Sequence, residues 1–90
     1  MILLNKLLIY KYINNLSKED ILYYTKNKLN YSLKDSELDI IYLYIKRYYK
    51  EVLSGNYTDI LNSLKEKIRP ETYTIIIELL DKYKGFIDLH

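Results

Sequence analysis

Between residues 44 and 50 the chain carries Tyr44, Lys46, Arg47, Tyr48 and Lys50, a basic set interleaved with aromatic rings. Lys46 and Lys50 stand four residues apart, so on a helix they are neighbours, with Arg47 beside them. Such a set can neutralise phosphates while a tyrosine stacks on a base. Lys46, Arg47 and Lys50 are therefore the candidate nucleic-acid contacts. The competing role is a solvated basic face whose long stems cover apolar neighbours. The helix that carries them opens on Asp35, Glu37 and Asp39. Recognition helices place base-contacting residues near that end, and carboxylates there repel a phosphate backbone. Nucleic acid is thus the alternative partner and not the favoured one.

The acids form two clusters, Glu19/Asp20 and Asp35/Glu37/Asp39. Both fall at the start of a helix, where carboxylates cap free amides and match the helix dipole. That role is favoured over general acid–base or cation chemistry. His90 is the single histidine and stands last, where a side chain is ordinarily solvated. With no cysteine and one histidine, the usual zinc and iron ligand sets are out of reach of this chain alone. Gly55 and Gly85 stand alone, so there is no glycine-rich phosphate loop. The expectation is a protein that is not an enzyme, with no catalytic residue, no cofactor and no metal.

The element that positions the basic set runs from Asp35 to Gly55. Leu38, Ile41, Tyr42, Ile45, Tyr48, Tyr49, Val52 and Leu53 recur at helical spacing and define one face. Asp35 is the expected N-cap, and Gly55 the left-handed residue that closes the helix. Ile40, Leu43 and Tyr44 fall off the main stripe, so the middle of this helix is apolar nearly all round. Those three are the candidate partner-interface residues, unless another helix covers them.

Four further helices follow from the same signals. The first spans Ile2 to Asn14, with Leu3, Leu4, Leu7 and Leu8 on adjoining faces. Ser17-Lys18-Glu19-Asp20 is a capping signal for a second, from Lys18 to about Leu29, burying Ile21, Leu22, Thr25 and Leu29. Asn30-Tyr31-Ser32 is a turn, and Leu33 plugs the core. A fourth helix is capped by Thr58 or Asn56 and runs to about Ile68. Pro70 opens a fifth, where its missing amide is harmless, with Tyr73, Ile76, Ile77, Leu80 and Tyr83 as its stripe and Gly85 as its end. The runs at 39–45 and 74–80 are β-branched enough to suit buried strands, but caps and periodicity extend well beyond each and favour helix. The predicted fold is all-α: a compact five-helix domain around a long central helix at about 36–54, with 1–90 as one domain.

Composition sets limits on partners. Ala, Gln and Trp are absent, and Ile, Leu, Lys, Asn and Tyr dominate, residues with AT-rich codons. In such a chain the twelve tyrosines are read as amphipathic filler for the core edge. Net charge is +2, too small to name a partner. It is uneven: residues 1–34 hold six Lys against Glu19 and Asp20, a balance of +4, whereas residues 35–90 come to −2. No apolar stretch approaches the roughly 20 residues of a membrane span. Lys6 interrupts the N-terminal apolar run, and no small-residue cleavage site follows, which speaks against a signal peptide. A cytoplasmic setting is the expectation for a chain without cysteine.

Ile13-Asn14-Asn15-Leu16-Ser17, Glu19-Asp20-Ile21-Leu22-Tyr23-Tyr24, Ser32-Leu33 and Pro70-Glu71-Thr72 occur in that order. Over residues 13–83 the chain resembles the YqfT-like family of small helical proteins from Gram-positive bacteria. That family's third helix is more polar and contains Ala and Gln, which this chain lacks. The resemblance implies a cytoplasmic all-α protein and carries over no catalytic residue. The functional expectation is a non-catalytic interaction or structural protein, with a protein partner or a second copy of itself.

Overall fold

The computed structural model describes residues 2–88, with side chains over 7–82. His90 and Leu89 lie outside the described residues. The described chain forms five helices and no strand: α1 (Ile2–Asn14), α2 (Lys18–Asn27), α3 (Asp35–Leu53), α4 (Thr58–Lys65) and α5 (Pro70–Asp88). The fold is all-α, as the periodicity predicts. Both β-branched runs, 39–45 and 74–80, lie inside helices. The overall extents are 37 × 26 × 21 Å. No described helix is long and apolar enough to cross a membrane.

Local signals account for several boundaries. Ser17 caps α2 in a reciprocal box: its Oγ accepts from the Asp20 N–H at 3.1 Å, and Asp20 Oδ2 accepts from the Ser17 N–H at 2.9 Å. Accepting from the Ser17 backbone N–H holds the Asp20 carboxyl below its ordinary range. Gly55 adopts φ +91° just past the end of α3, a conformation that suits glycine and closes the helix. Asn30 takes φ +51° in the turn after α2, and asparagine tolerates this better than most residues.

Other boundaries depart from expectation for identifiable reasons. The N-cap position of α3 is Lys34, not Asp35. Glu37 reaches back to accept from the Lys34 N–H at 3.1 Å, so the helix start is set by whatever fixes Glu37. The N-cap position of α4 is Tyr57, in place of Thr58 or Asn56, and its carbonyl accepts from the Leu61 N–H at 2.8 Å. α2 stops at Asn27, where the chain turns so that the Tyr31 N–H reaches the Thr25 carbonyl at 2.9 Å. α4 stops at Lys65, short of Ile68: the Lys67 N–H turns back to the Leu64 carbonyl at 2.9 Å, ahead of Arg69, which precedes proline and is biased away from helix. α5 continues through Gly85 to Asp88. An internal glycine costs only about 1 kcal/mol, and Ile87 continues the apolar spacing seven residues after Leu80.

α3 is the spine. α1 and α2 both pack on it, while α4 packs on α5. The result is two helical arms, α1–α2–α3 and α4–α5, joined by the turn at 54–57, with sparser packing between them. The buried aliphatic side chains among the described residues are Ile21 and Ile41 in the first arm, and Leu64 and Ile68 in the second.

An ion pair clasps the arms together. Glu37 of α3 is 2% exposed. Its Oε1 accepts from Arg69 Nη2 at 2.7 Å and Nε at 3.1 Å, and its Oε2 from the Arg69 backbone N–H at 2.9 Å. Arg69 Nη2 also donates to the Ser32 carbonyl at 3.0 Å, and the guanidinium lies over the Tyr31 ring, 5.6 Å from its centroid. The Tyr31 hydroxyl is hydrogen-bonded to Thr72 Oγ1, which belongs to a residue only 1% exposed. One network thus ties the α2–α3 loop and the start of α3 to the start of α5.

Burial alone would push the Glu37 carboxyl up. The Arg69 side chain, the Arg69 and Lys34 amides and Thr72 outweigh it and hold the group at about 2, against an ordinary 4.5. A carboxyl depressed on folding stabilises the fold above its unfolded value and loses that contribution as pH falls through the folded one. Glu37→Gln is therefore expected to lower stability near neutrality by about 2 kcal/mol, the scale of hydrogen bonds to a charged group. That corresponds to a Tm loss of roughly 10 °C for a chain of this size. The difference between parent and variant should close between about pH 5 and pH 2, as thermal melts followed by circular dichroism across that window would show. A gap that stays constant over the window rejects the clasp.

Candidate functional site

The arms do not close on each other. Between them lies an apolar cleft of about 510 Å³, lined from all five helices and by Leu16, Tyr31 and Leu33 of the connections. α5 contributes Thr72, Ile75, Ile76, Leu79 and Leu80, a stripe at i, i+3, i+4, i+7 and i+8. Its four aliphatic members are only half-buried. This stripe shares Ile76 and Leu80 with the expected one and has Thr72, Ile75 and Leu79 in place of Tyr73 and Ile77. Tyr73 instead lies beside Lys65 of α4, 5.7 Å from ring centroid to Nζ. α3 contributes Ile41, Tyr44, Ile45, Tyr49, Val52 and Leu53. The open side is bordered by Leu8 and Tyr12 of α1, 58% and 64% exposed, and by Tyr24 of α2, 43% exposed.

The polar atoms along this lining are largely committed to the protein. The Tyr44 hydroxyl bonds Ser63 Oγ at 2.6 Å, a second tie between α3 and the other arm. The Tyr49 hydroxyl donates to Asn14 Oδ1 at 2.9 Å, and Thr25 Oγ1 donates to the Leu22 carbonyl at 3.0 Å. Asp20 is the charged side chain among the lining residues, and its carboxylate is held by the cap of α2. No buried side-chain nitrogen or oxygen among the described residues lacks a hydrogen bond. The cleft therefore presents chiefly carbon to an occupant.

The three interface candidates differ in burial. Tyr44 lines the cleft. Leu43, its neighbour, points about 100° away around the helix and is 55% exposed, while Ile40 is half-buried. A single exposed leucine is ordinary on a protein surface.

The basic set has a structural task. Lys46 Nζ donates to the Ile13 carbonyl at 2.8 Å and the Asn14 carbonyl at 2.7 Å. These are terminal carbonyls of α1, which have no partner inside their own helix, and a cation suits that end of the dipole. Lys50 lies 5.8 Å from the centroids of both Tyr10 and Tyr49, whose rings meet edge to face at 5.3 Å. Arg47 lies 5.5 Å from the Tyr48 ring centroid. Lys46 and Lys50 thus strap the C-terminal half of α1 to α3 and hold the wall that carries Leu8 and Tyr12. Asp39 is exposed and pairs with Lys18 of α2 at 2.8 Å; this raises the Lys18 ammonium above its ordinary value but contributes little on so open a surface. Among the described residues no three metal-ligating side chains cluster.

Sequence reasoning missed Arg69 and the cleft. The available signal for Arg69 was an acidic start of α3 with more carboxylates than one cap needs, in a chain with two arginines, one of them just before Pro70. For the cleft it was an apolar fraction of 49% in a chain too short to bury it all.

Replacing Lys46 with Met keeps the stem and removes the ammonium. The expected cost is about 1–2 kcal/mol, from two charge-assisted bonds lost at a partly exposed site. Amide hydrogen exchange should quicken over α1 and leave α4 unchanged. Unaltered exchange over α1 rejects the strap. No family model, curated protein or solved structure matches the chain.

Proposed function

We propose that this protein is a non-catalytic interaction module that receives an apolar helical face of a polypeptide in the cleft between its arms. The observation supporting this reading is the cleft's combination of size, openness and chemistry. Small-molecule sites pair an apolar lining with a few unengaged polar groups that orient the ligand. Here Tyr31, Tyr44, Tyr49 and Thr25 direct their hydroxyls to protein partners. An occupant is held by shape and carbon contact, the mode by which grooves take amphipathic helices through anchors at i, i+3, i+4 and i+7. A cytoplasmic setting belongs to the proposal and draws on the cysteine-free sequence.

A titration with an isotope-labelled chain and a synthetic Leu/Lys amphipathic helix tests it. Saturable shift changes are expected at Leu8, Tyr12, Tyr24 and Ile76, with Leu43 unmoved. No saturable change, or change confined to the Ile40–Leu43 side of α3, overturns the proposal.

A further inference from the structure

Resting on the reading of the cleft as a polypeptide-binding groove, we infer that its occupant is a second copy of this chain, with α1 of each copy laid along α5 of the other about a two-fold axis. Leu8 and Tyr12 of one copy then cover the half-buried Ile76 and Leu79 stripe of its mate.

Three observations lead there. The first is area. The chain exposes 6442 Å², roughly 850 Å² more than the ~5,600 Å² typical of a folded monomer of its mass. Its radius of gyration of 13.0 Å likewise exceeds the ~12.2 Å of a compact chain of this length. An excess of that size is about one partner's share, ~800 Å², of a standard stable interface.

The second is self-complementarity. A two-fold interface uses the same patch on both copies, so the patch must contain both the projecting and the receiving element. Leu8 and Tyr12 project, at 58% and 64% exposure, and also border the cleft that would receive them. At 13 residues α1 is about 20 Å long, and it fits along the ~28 Å of α5.

The third is charge. α1 carries Lys6 and Lys11 and no acid, whereas α5 carries Glu71, Glu78, Asp81 and Asp88 against Lys82 and Lys84. A basic helix thus meets a helix of net charge −2, which favours this pairing over α1 on α1. An acyl chain with an anionic head is the competing occupant of a carbon-lined cleft. It would meet Asp20 as the charged side chain of the lining, with no cation there to receive it.

Sedimentation of the full chain across roughly 0.1–100 μM covers the micromolar end of the affinities of interfaces of this size. The expected result is a concentration-dependent species of twice the 10.9 kDa chain mass. Leu8→Glu combined with Tyr12→Glu should raise the dissociation constant at least about tenfold, as for residues central to an interface. Leu43→Glu, at a leucine equally exposed on another face, should leave it unchanged. Because a variant can lose its fold, a second measurement stands apart: nuclear Overhauser contacts between copies in a mixed-label sample should join Tyr12 of one to Ile76 or Leu79 of the other. A monomer at every concentration overturns the inference, as does a dimer broken by Leu43→Glu alone or one lacking the Tyr12 contacts. If the monomer still binds the amphipathic helix in the cleft, the inference fails and the interaction reading stands. If it binds neither, both fail.

Discussion

The Glu37–Arg69 pair sets the distance and angle between the two arms. Hydrophobic contact is strong but non-directional, and between the arms it is sparse. A carboxylate taking a guanidinium at two nitrogens is directional, because the geometry of both groups is planar and fixed. Arg69 also donates its backbone amide to the same carboxylate and reaches the Ser32 carbonyl. Three chain segments therefore share one orientation. Buried pairs of this kind contribute less net stability than their short distances suggest, since both ions lose water. Their larger effect here is specificity: with the clasp in place, α5 presents its Ile76 and Leu79 stripe towards α3 at a separation that leaves space between.

That separation explains how a chain so rich in Ile, Leu and Tyr comes to have so few buried aliphatic side chains among its described residues. Ile21 and Ile41 in one arm and Leu64 and Ile68 in the other are buried, and Ile21, Ile41 and Leu64 also line the cleft. Most other aliphatic side chains along it are half-covered. Tyrosine suits this edge because its ring can face carbon while its hydroxyl reaches out to Ser63, Asn14 or Thr72. The reading of tyrosine as amphipathic filler therefore describes these three, each with its ring on the cleft and its hydroxyl tied to a neighbouring segment.

What was legible in the sequence is what depends on neighbours in sequence. Ser17 and Asp20 lie three residues apart, and Gly55 follows the last apolar position of its helix, so both ends of the argument for each cap are visible in a few letters. Asp35 looked like a cap by the same logic and is not one. Its competitor Glu37 is fixed by Arg69, 32 residues away, and no local rule weighs a partner at that distance. The cleft escapes for the same reason. Periodicity shows that a face is apolar but not what lies opposite it, so the expected stripe of α5 holds Ile76 and Leu80 but has Tyr73 and Ile77 where the cleft takes Thr72, Ile75 and Leu79.

The basic set shows how residue type and spacing can also serve the fold itself. Lys46 and Lys50 do share a face and do meet electronegative oxygen and aromatic rings. The oxygens are the terminal carbonyls of α1, and the rings are the protein's own Tyr10 and Tyr49. A helix C-terminus offers a lysine much of what a phosphate does: a partial negative charge and exposed acceptors. In a chain with few glycines to cap helices, a lysine from the neighbouring helix fills that role for α1. The consequence is mechanical. Because α1 is strapped to α3 at its C-terminal end, Leu8 and Tyr12 stand at the mouth of the cleft and do not collapse into it, and the apolar surface that the clasp leaves open stays open.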